Sequence, residues 1–235
     1  MELPKLKKLD PTKPKKKKIL LLADDFRLPS GIGTISKEII LNTVEHYDWI
    51  QIGAAVNHPD AGKAFDVSKE VQNTTGIHDA DVKIIPYNGY GDRNILFSLL
   101  NSEKPDAIFL FTDPRFFIWL FEMEDEIHQS CPIVWWHVWD NYPNPVFNHP
   151  YYAATDLINC HSHLTYEIVK EKYPEKTNFI PHSIPPEHFS QIQGYMKQFH
   201  KNKVLGPERA NDFVGLRINR NARRKRPSDV IHSWK

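Results

Sequence analysis

Short apolar segments alternate with amphipathic segments along most of this sequence. The first apolar run, Ile19 to Ala23, is continuous over the length of a strand, as in a parallel strand that is covered on both faces. A glycine turn from Pro29 to Gly33 follows, and Ile35, Ile39 and Ile40 then return at helical spacing. This stretch therefore predicts a buried strand, a tight turn and an amphipathic helix.

The same alternation continues to about residue 181. Six further strands are predicted, at residues 49–56, 82–87, 106–111, 131–136, 156–160 and 178–181. Helices are predicted at residues 92–103, 114–129 and 165–173. Residues 57–76 are polar and contain glycine, so we expect a long loop there. Strands that alternate with helices over this length indicate a doubly wound, mostly parallel α/β sheet.

The glycine turn is the first candidate binding site. Ligands of such sheets bind beyond the carboxyl ends of the strands. Gly31 and Gly33 let the backbone come close to a bound group, and the N-terminus of the following helix favours an anion such as phosphate. The second strand ends without the acidic residue of a dinucleotide site, and no Gly-Lys-Ser/Thr triplet of a Walker A loop occurs. The alternative is a tight turn that binds no ligand.

Histidines occupy two further loops at this edge. His137 follows the fifth predicted strand and can carry a proton or bind a substrate hydroxyl, with Asp140 close enough in sequence to orient it. The alternative for His137 is a structural role among neighbouring tryptophans. His182 lies in the loop after the seventh predicted strand. His161 and His163 are two residues apart, but no nearby acidic residue completes a metal site, so no metal is expected.

The net charge of +1 over 235 residues conceals a basic segment at each end of the chain. Eight lysines stand among the first 18 residues, and residues 217–226 carry six Arg and Lys residues without an acidic one. We expect the proline-containing leader, residues 1–16, to extend into solvent; contact with an anionic membrane surface or with nucleic acid is the alternative.

The cysteines and the apolar segments indicate in which cellular compartment the protein is located. Cys131 and Cys160 are too few for a disulfide framework and stand in apolar contexts, which favours a reducing compartment. The leader has no apolar region typical of a signal peptide, and no apolar stretch has the length of a membrane span. We therefore expect a cytoplasmic protein, whose basic leader could bring it to the periphery of a membrane.

Three segments resemble glycosyltransferase family 4, the retaining sugar transferases of the GT-B fold: the turn PSGIGTIS, the loop NFIPHSIPPEHF and the late segment DFVGLRINRNARRKRPSDVI. In that family, a strand that opens the second domain leads to an Arg and then a Lys, and both bind the diphosphate of a nucleotide-sugar donor. Here residues 213–218 match the strand, Arg220 matches the Arg and Lys225 matches the Lys. The resemblance also implies that Gly31 and Gly33 lie near the donor phosphates.

The resemblance further implies a domain organisation and a reaction. Residues 17–200 would form the Rossmann-like, acceptor-side N-terminal domain of a GT-B enzyme, and residues 201–235 a linker with the first strand and helix start of the donor-side domain. His137 would be the active-site histidine, and Asp140 and His182 would lie in the acceptor and cleft loops. The reaction would move a sugar, with retention, from a nucleotide-diphosphate sugar to an unspecified acceptor. No cofactor or metal is implied, since fixed cations can stabilise the leaving diphosphate.

The Glu-x7-Glu element of the family has no counterpart after Lys225. We therefore expect this chain to transfer no sugar by itself, and a separately encoded C-terminal half to be a candidate partner. Two other classes stay open on the sequence: a non-catalytic binding or assembly module on the same fold, and a GT-B sugar-nucleotide epimerase.

Overall fold

A computed structural model describes residues 15–139, 141–184, 189–219 and 223–234. The chain divides into two units, Met1–Ser183 and Ile184–Lys235. The first unit contains every described strand. Its strands are β1 (Lys17–Asp24), β2 (Tyr47–Ala54), β3 (Phe65–Asp66), β4 (Val82–Pro86), β5 (Ala107–Thr112), β6 (Ile133–His137), β7 (Leu157–Cys160) and β8 (Thr177–Phe179).

Among the described residues, these strands form one eight-stranded sheet in the order β3-β4-β2-β1-β5-β6-β7-β8. All neighbouring pairs are parallel except β3 with β4, which are antiparallel at the edge. From β1, the chain runs to β2 on one side, and it later returns to β5 on the other side. The strand order therefore reverses beside β1, and the loops at the carboxyl ends of β1 and β5 flank the point where ligands bind in sheets of this kind.

Helices cover both faces of the sheet. The described α-helices are α1 (Gly31–Thr43), α2 (Ser68–Thr75), α3 (Arg93–Glu103), α4 (Ile118–Phe121), α5 (Glu124–His128), α6 (His149–Ala153), α7 (His163–Lys170), α8 (Gly194–Leu205) and α9 (Pro227–Ser233). One apolar cluster joins α1 and α2 to strand residues such as Leu21, Phe111 and Trp136, and we call this side the α1 face. A second cluster joins the helices from α3 through α7 to strand residues such as Leu20 and Trp135 on the opposite side, which we call the α3 face.

The architecture is thus an α/β fold with a mostly parallel, Rossmann-like sheet. The seven strands predicted before residue 182 are confirmed, with boundaries shifted by at most two residues. The predicted loop over residues 57–76 is wrong in part, since it contains β3 and α2. These elements give little sequence signal, because β3 has only two residues and α2 fully buries only one apolar side chain, Val71.

The helix predicted over residues 114–129 is interrupted. A 3-10 turn, Pro114–Phe116, precedes α4, and α5 begins only after Met123. Phe117 and Met123, which separate the three pieces, have non-helical backbone angles, and both side chains are buried in the core. The helix is therefore interrupted at the two residues whose apolar side chains are buried on the α3 face.

The second unit contains α8, α9 and short 3-10 turns in its described part. Residues 213–218 form no strand, contrary to the prediction. A lone extended segment leaves its backbone groups without partners unless a neighbouring strand pairs with it, and no strand is described in this unit. Phe213 is 85% exposed and its ring stacks on Trp234 at 5.8 Å.

No helix in the described ranges is both long enough and apolar enough to cross a membrane. Residues 1–14 of the basic leader lie outside the described residues. Lys16, at the end of that leader, is held at the amino edge of the sheet, where its ammonium donates to the carbonyl oxygen of Val44 at 2.7 Å and pairs with Asp79 at 3.0 Å.

Candidate functional site

The glycine turn connects β1 to α1 at the carboxyl edge of the sheet. Ser30 caps the helix, and its Oγ accepts a hydrogen bond from the Gly33 amide at 2.9 Å. The turn before it is closed by a bond from the Leu28 amide to the Asp25 carbonyl oxygen at 2.9 Å. Gly31 and Ile32, the first residues of α1, have no partner for their N–H groups within the helix. These two groups lie at the positive end of the helix dipole.

The two glycines of this turn have different roles. A Cβ atom on Gly33 would lie 2.7 Å from the Leu28 carbonyl oxygen and 2.8 Å from that of Asp25, both closer than such atoms approach in real structures. Gly33 is therefore required by the turn itself. A Cβ atom on Gly31 would meet nothing within 4 Å. Gly31 is exposed, so its backbone is open to an approaching group.

Asp24, the last residue of β1, holds the turn in place. Its carboxylate accepts a hydrogen bond from the Ser30 hydroxyl at 2.7 Å and another from the Tyr90 hydroxyl at 2.7 Å. Ser30 thus donates to Asp24 and accepts from Gly33 at once. This chain of bonds fixes the start of α1 against the end of β1 and against the loop that carries Tyr90.

Tyr90 lies between β4 and α3, on a loop where Gly89 and Gly91 have positive φ angles of 112° and 96°. Its ring stacks on Phe116 with centroids 4.3 Å apart. Burial, reinforced by the hydrogen bond to Asp24, raises the pKa of Tyr90 above its ordinary value. The hydroxyl therefore stays protonated and donates to the carboxylate throughout the physiological range.

Asp25 is buried beneath the same turn and is paired internally. Arg27 donates to its carboxylate from the backbone N–H at 2.9 Å, from Nε at 2.9 Å and from Nη2 at 2.6 Å. The carboxylate lies against Gly53 of β2, where a Cβ atom would come within 3.0 Å of Oδ2. Gly53 therefore makes room for the acid, and Arg27 brings a partly exposed guanidinium to the mouth of the site.

His137 does not present its ring to an open edge. The side chain ends β6, is 0% exposed, and packs on the α3 face against Trp135, with ring centroids 4.1 Å apart. Its Nε2 lies 2.8 Å from the Tyr152 hydroxyl, and Nδ1 has no partner among the described residues. Burial lowers the pKa of His137 to about 3, so the ring is neutral. The role of His137 as the active-site histidine stays a prediction; its buried ring fits the structural alternative among the tryptophans, and it lies on the face of the sheet opposite α1.

The closest pair of histidine rings at the carboxyl edge is His161 with His182, with centroids 4.6 Å apart. Nδ1 of His161 lies 2.9 Å from the carbonyl oxygen of His137. His163, the partner expected from sequence spacing, points elsewhere and pairs with Glu167 at 3.5 Å. No group of three or more potential metal ligands is found in the described part of the chain.

The remaining predicted site residues belong to the second unit or lie outside the described residues. Asp140 and Arg220 fall outside them, as do residues 185–188 after His182. Lys225 ends a short 3-10 turn, Arg223–Lys225, in the second unit and is partly exposed. Its proposed partnership with Arg220 remains a prediction.

Sequence reasoning missed the roles of Asp24, Ser30 and Tyr90. Ser30 could have been found, since a Ser immediately before a predicted helix is a common N-cap. Tyr90 could not, because it lies 66 positions from Asp24 and only the strand order brings them together.

No protein-family model matches the sequence, and no curated protein has significant similarity to it. The resemblance to glycosyltransferase family 4 accordingly stands on the three segments described above.

Proposed function

We propose that this chain supplies the first Rossmann-like half of a GT-B glycosyltransferase that resembles family 4. In this proposal the enzyme moves a sugar, with retention, from a nucleotide-diphosphate sugar to an acceptor. The observation that carries the proposal is the open N-terminus of α1 at the switch point of the sheet. An anion is stabilised at such a position by free backbone N–H groups and by the helix dipole.

The geometry of the turn suits a diphosphate group, but the turn is not the site of a dinucleotide-binding enzyme. Gly31 is exposed with no atom within 4 Å of a virtual Cβ, so a phosphate oxygen can reach the N–H groups of Gly31 and Ile32. β2 ends at Ala54 without a carboxylate that could bind a ribose. The turn therefore offers a phosphate position but lacks the ribose contact of a nicotinamide enzyme.

The acids beneath the turn are engaged by partners within or beside it. The two carboxylate oxygens of Asp24 each accept a hydroxyl hydrogen bond, and Asp25 is paired with Arg27 in a bidentate arrangement. The Arg27 guanidinium remains 39% exposed, so part of its positive charge is available at the mouth of the site. Arginine is well suited to phosphate oxygens because its donors are planar and always charged.

The second unit would contribute the remaining positive charge. By the family resemblance, Arg220 and Lys225 contact the diphosphate and stabilise the charge that develops as the bond to the sugar breaks. No ion pair involving Lys225 is found among the described residues, whereas Arg226 pairs with Asp229 at 2.5 Å. Lys225 therefore has no competing carboxylate within the described ranges.

The test is donor binding followed by ³¹P NMR, with a panel of nucleotide-diphosphate sugars and nucleoside monophosphates for comparison. Adding the wild-type chain to a nucleotide-diphosphate sugar at millimolar concentration should shift or broaden the diphosphate resonances of the sugar nucleotide. Gly31→Val places a branched side chain over the first N–H groups and should abolish the effect. Asn42→Val puts the same side chain at an exposed position on the last turn of α1 and should leave the effect unchanged.

Thermal unfolding of all three proteins shows that any loss of binding is not a loss of fold. The proposal fails if no diphosphate donor perturbs the spectrum, or if Gly31→Val binds as the wild type does. A monophosphate that binds as well as the diphosphate sugars would also contradict it.

A further inference from the structure

We propose that His161 and His182 form a binding site for a phosphate monoester, separate from the glycine turn. The two rings meet edge to face, with centroids 4.6 Å apart and an interplanar angle of 63°. They come from the ends of two different strands, β7 and β8, at the carboxyl edge of the sheet. Ligands of parallel α/β sheets bind at this edge.

The contacts of each ring leave nitrogens for a ligand. Nδ1 of His161 lies 2.9 Å from the carbonyl oxygen of His137, and since a carbonyl can only accept, that nitrogen carries the proton. Nε2 is therefore the free nitrogen of His161. The His182 ring makes ring contacts with Phe111 at 5.9 Å and Trp136 at 5.5 Å, but no hydrogen bond in the described structure. His182 is exposed and His161 partly so, hence a small ligand can reach both.

Two buried polar atoms without hydrogen-bond partners belong to strand residues near this pair. The indole N–H of Trp136, which packs beside His182, is buried without a hydrogen-bond partner in the described structure. Asn159 lies directly opposite Trp136 in the parallel ladder, and its side-chain oxygen is also buried without a partner. Such groups are uncommon in folded proteins, where they are costly. A phosphate oxygen would provide the acceptor that the Trp136 N–H lacks.

The charge of the pair favours a dianion. Burial and the neighbouring His161 lower the pKa of His182, so protonation is unfavourable while the site is empty. His161 is the one titratable group with a resolved electrostatic effect on His182; Phe111 and Trp136, which pack on its ring, carry no charge. A bound dianion compensates two neighbouring imidazolium charges, so binding should draw protons onto the rings. A neutral sugar or a divalent cation would give no such uptake.

Titration calorimetry of the full chain with inorganic phosphate, and then with a simple phosphate monoester such as glycerol phosphate, tests the site. In buffers of different ionisation enthalpy near pH 6.5, the protein should take up protons beyond those that the phosphate itself releases when it binds as the dianion, since its second pKa is about 6. Affinity for the dianion should fall as the pH rises toward 8. His161→Gln and His182→Gln should each weaken binding about tenfold, the loss expected for one charge-assisted hydrogen bond.

His163→Gln is the matched control, because His163 is exposed and lies two residues from His161 but faces Glu167. It should leave phosphate affinity unchanged. Gly31→Val is measured in parallel: a loss of phosphate affinity in this variant, with both histidine variants binding as the wild type does, would assign the bound phosphate to the glycine turn and overturn the inference. Phosphate binding that is absent, that persists in both histidine variants, or that occurs without proton uptake would overturn the inference.

Discussion

Gly33→Ala tests whether the turn between β1 and α1 is as tight as the structure indicates. The added methyl group would lie 2.7 Å from one carbonyl oxygen and 2.8 Å from another, those of Leu28 and Asp25. Both atoms belong to the backbone, so relief requires the turn itself to move. Gly31→Ala is the natural control, because the same methyl group meets nothing within 4 Å two residues earlier.

The expected magnitudes differ clearly between the two glycines. Overpacking of this kind costs about 1 to 3 kcal/mol, against a gain in helix propensity of at most about 1 kcal/mol. Gly33→Ala should therefore lower the free energy of unfolding by about 1 to 2 kcal/mol. Gly31→Ala should change it by no more than about 0.5 kcal/mol, as at ordinary surface positions.

Urea unfolding followed by tryptophan fluorescence measures both variants against the wild type. Only the midpoint should move, with the slope unchanged, since the same surface is exposed on unfolding. A domain of this size should lose roughly 2 to 4 °C of melting temperature per kcal/mol. Equal midpoints for the two alanine variants would refute the geometry assigned to the turn.

Three further predictions follow from the site. Ser30→Ala removes the helix cap and a partner of Asp24, so the free energy of unfolding should fall by about 0.5 to 2 kcal/mol; an unchanged urea midpoint would contradict the cap. The pKa of His137 is about 3 in the folded protein and 6.5 in the unfolded chain, so the unfolded chain binds the proton first as the pH falls. The free energy of unfolding should therefore decrease below pH 6.5, by up to about 1.4 kcal/mol per pH unit. Urea midpoints between pH 7 and pH 5 should show a shallower slope in His137→Gln, and equal slopes would count against the burial. Arg220→Ala should weaken nucleotide-sugar binding at least about tenfold, and unchanged affinity by calorimetry would remove Arg220 from the donor site.

Much of the fold was predictable from the sequence because its signal is local. The apolar run at Ile19–Ala23 and its later counterparts are strand-length and bounded by turns, so the seven parallel strands could be placed. The edge strand β3 and helix α2 could not, since an element at the periphery buries few apolar residues and leaves a weak pattern. The strand expected over residues 213–218 has the right residue types, but pairing depends on a neighbour that local sequence does not reveal.

The candidate site was predictable only where it follows the chain. Gly31 and Gly33 were identified from their place between a strand and a helix, although their separate roles depend on carbonyl oxygens that only the folded turn brings near. His137 shows the limit of such reasoning. It was predicted to follow a strand and is instead the last residue of that strand, and the direction of its ring follows from strand alternation and from the Trp135 and Tyr152 rings that enclose it.

The most direct test of the central claim is the response of backbone amides to a nucleotide-diphosphate sugar. In ¹⁵N–¹H correlation spectra of the full chain, the account predicts that the largest shifts on titration occur at Gly31 and Ile32, with smaller shifts at Arg27. The Arg93 and Asn94 amides, at the start of α3, serve as a reference at another helix N-terminus on the same edge. Shifts that are absent, or that are as large at α3 as at α1, would contradict the assignment of the glycine turn as the donor phosphate site.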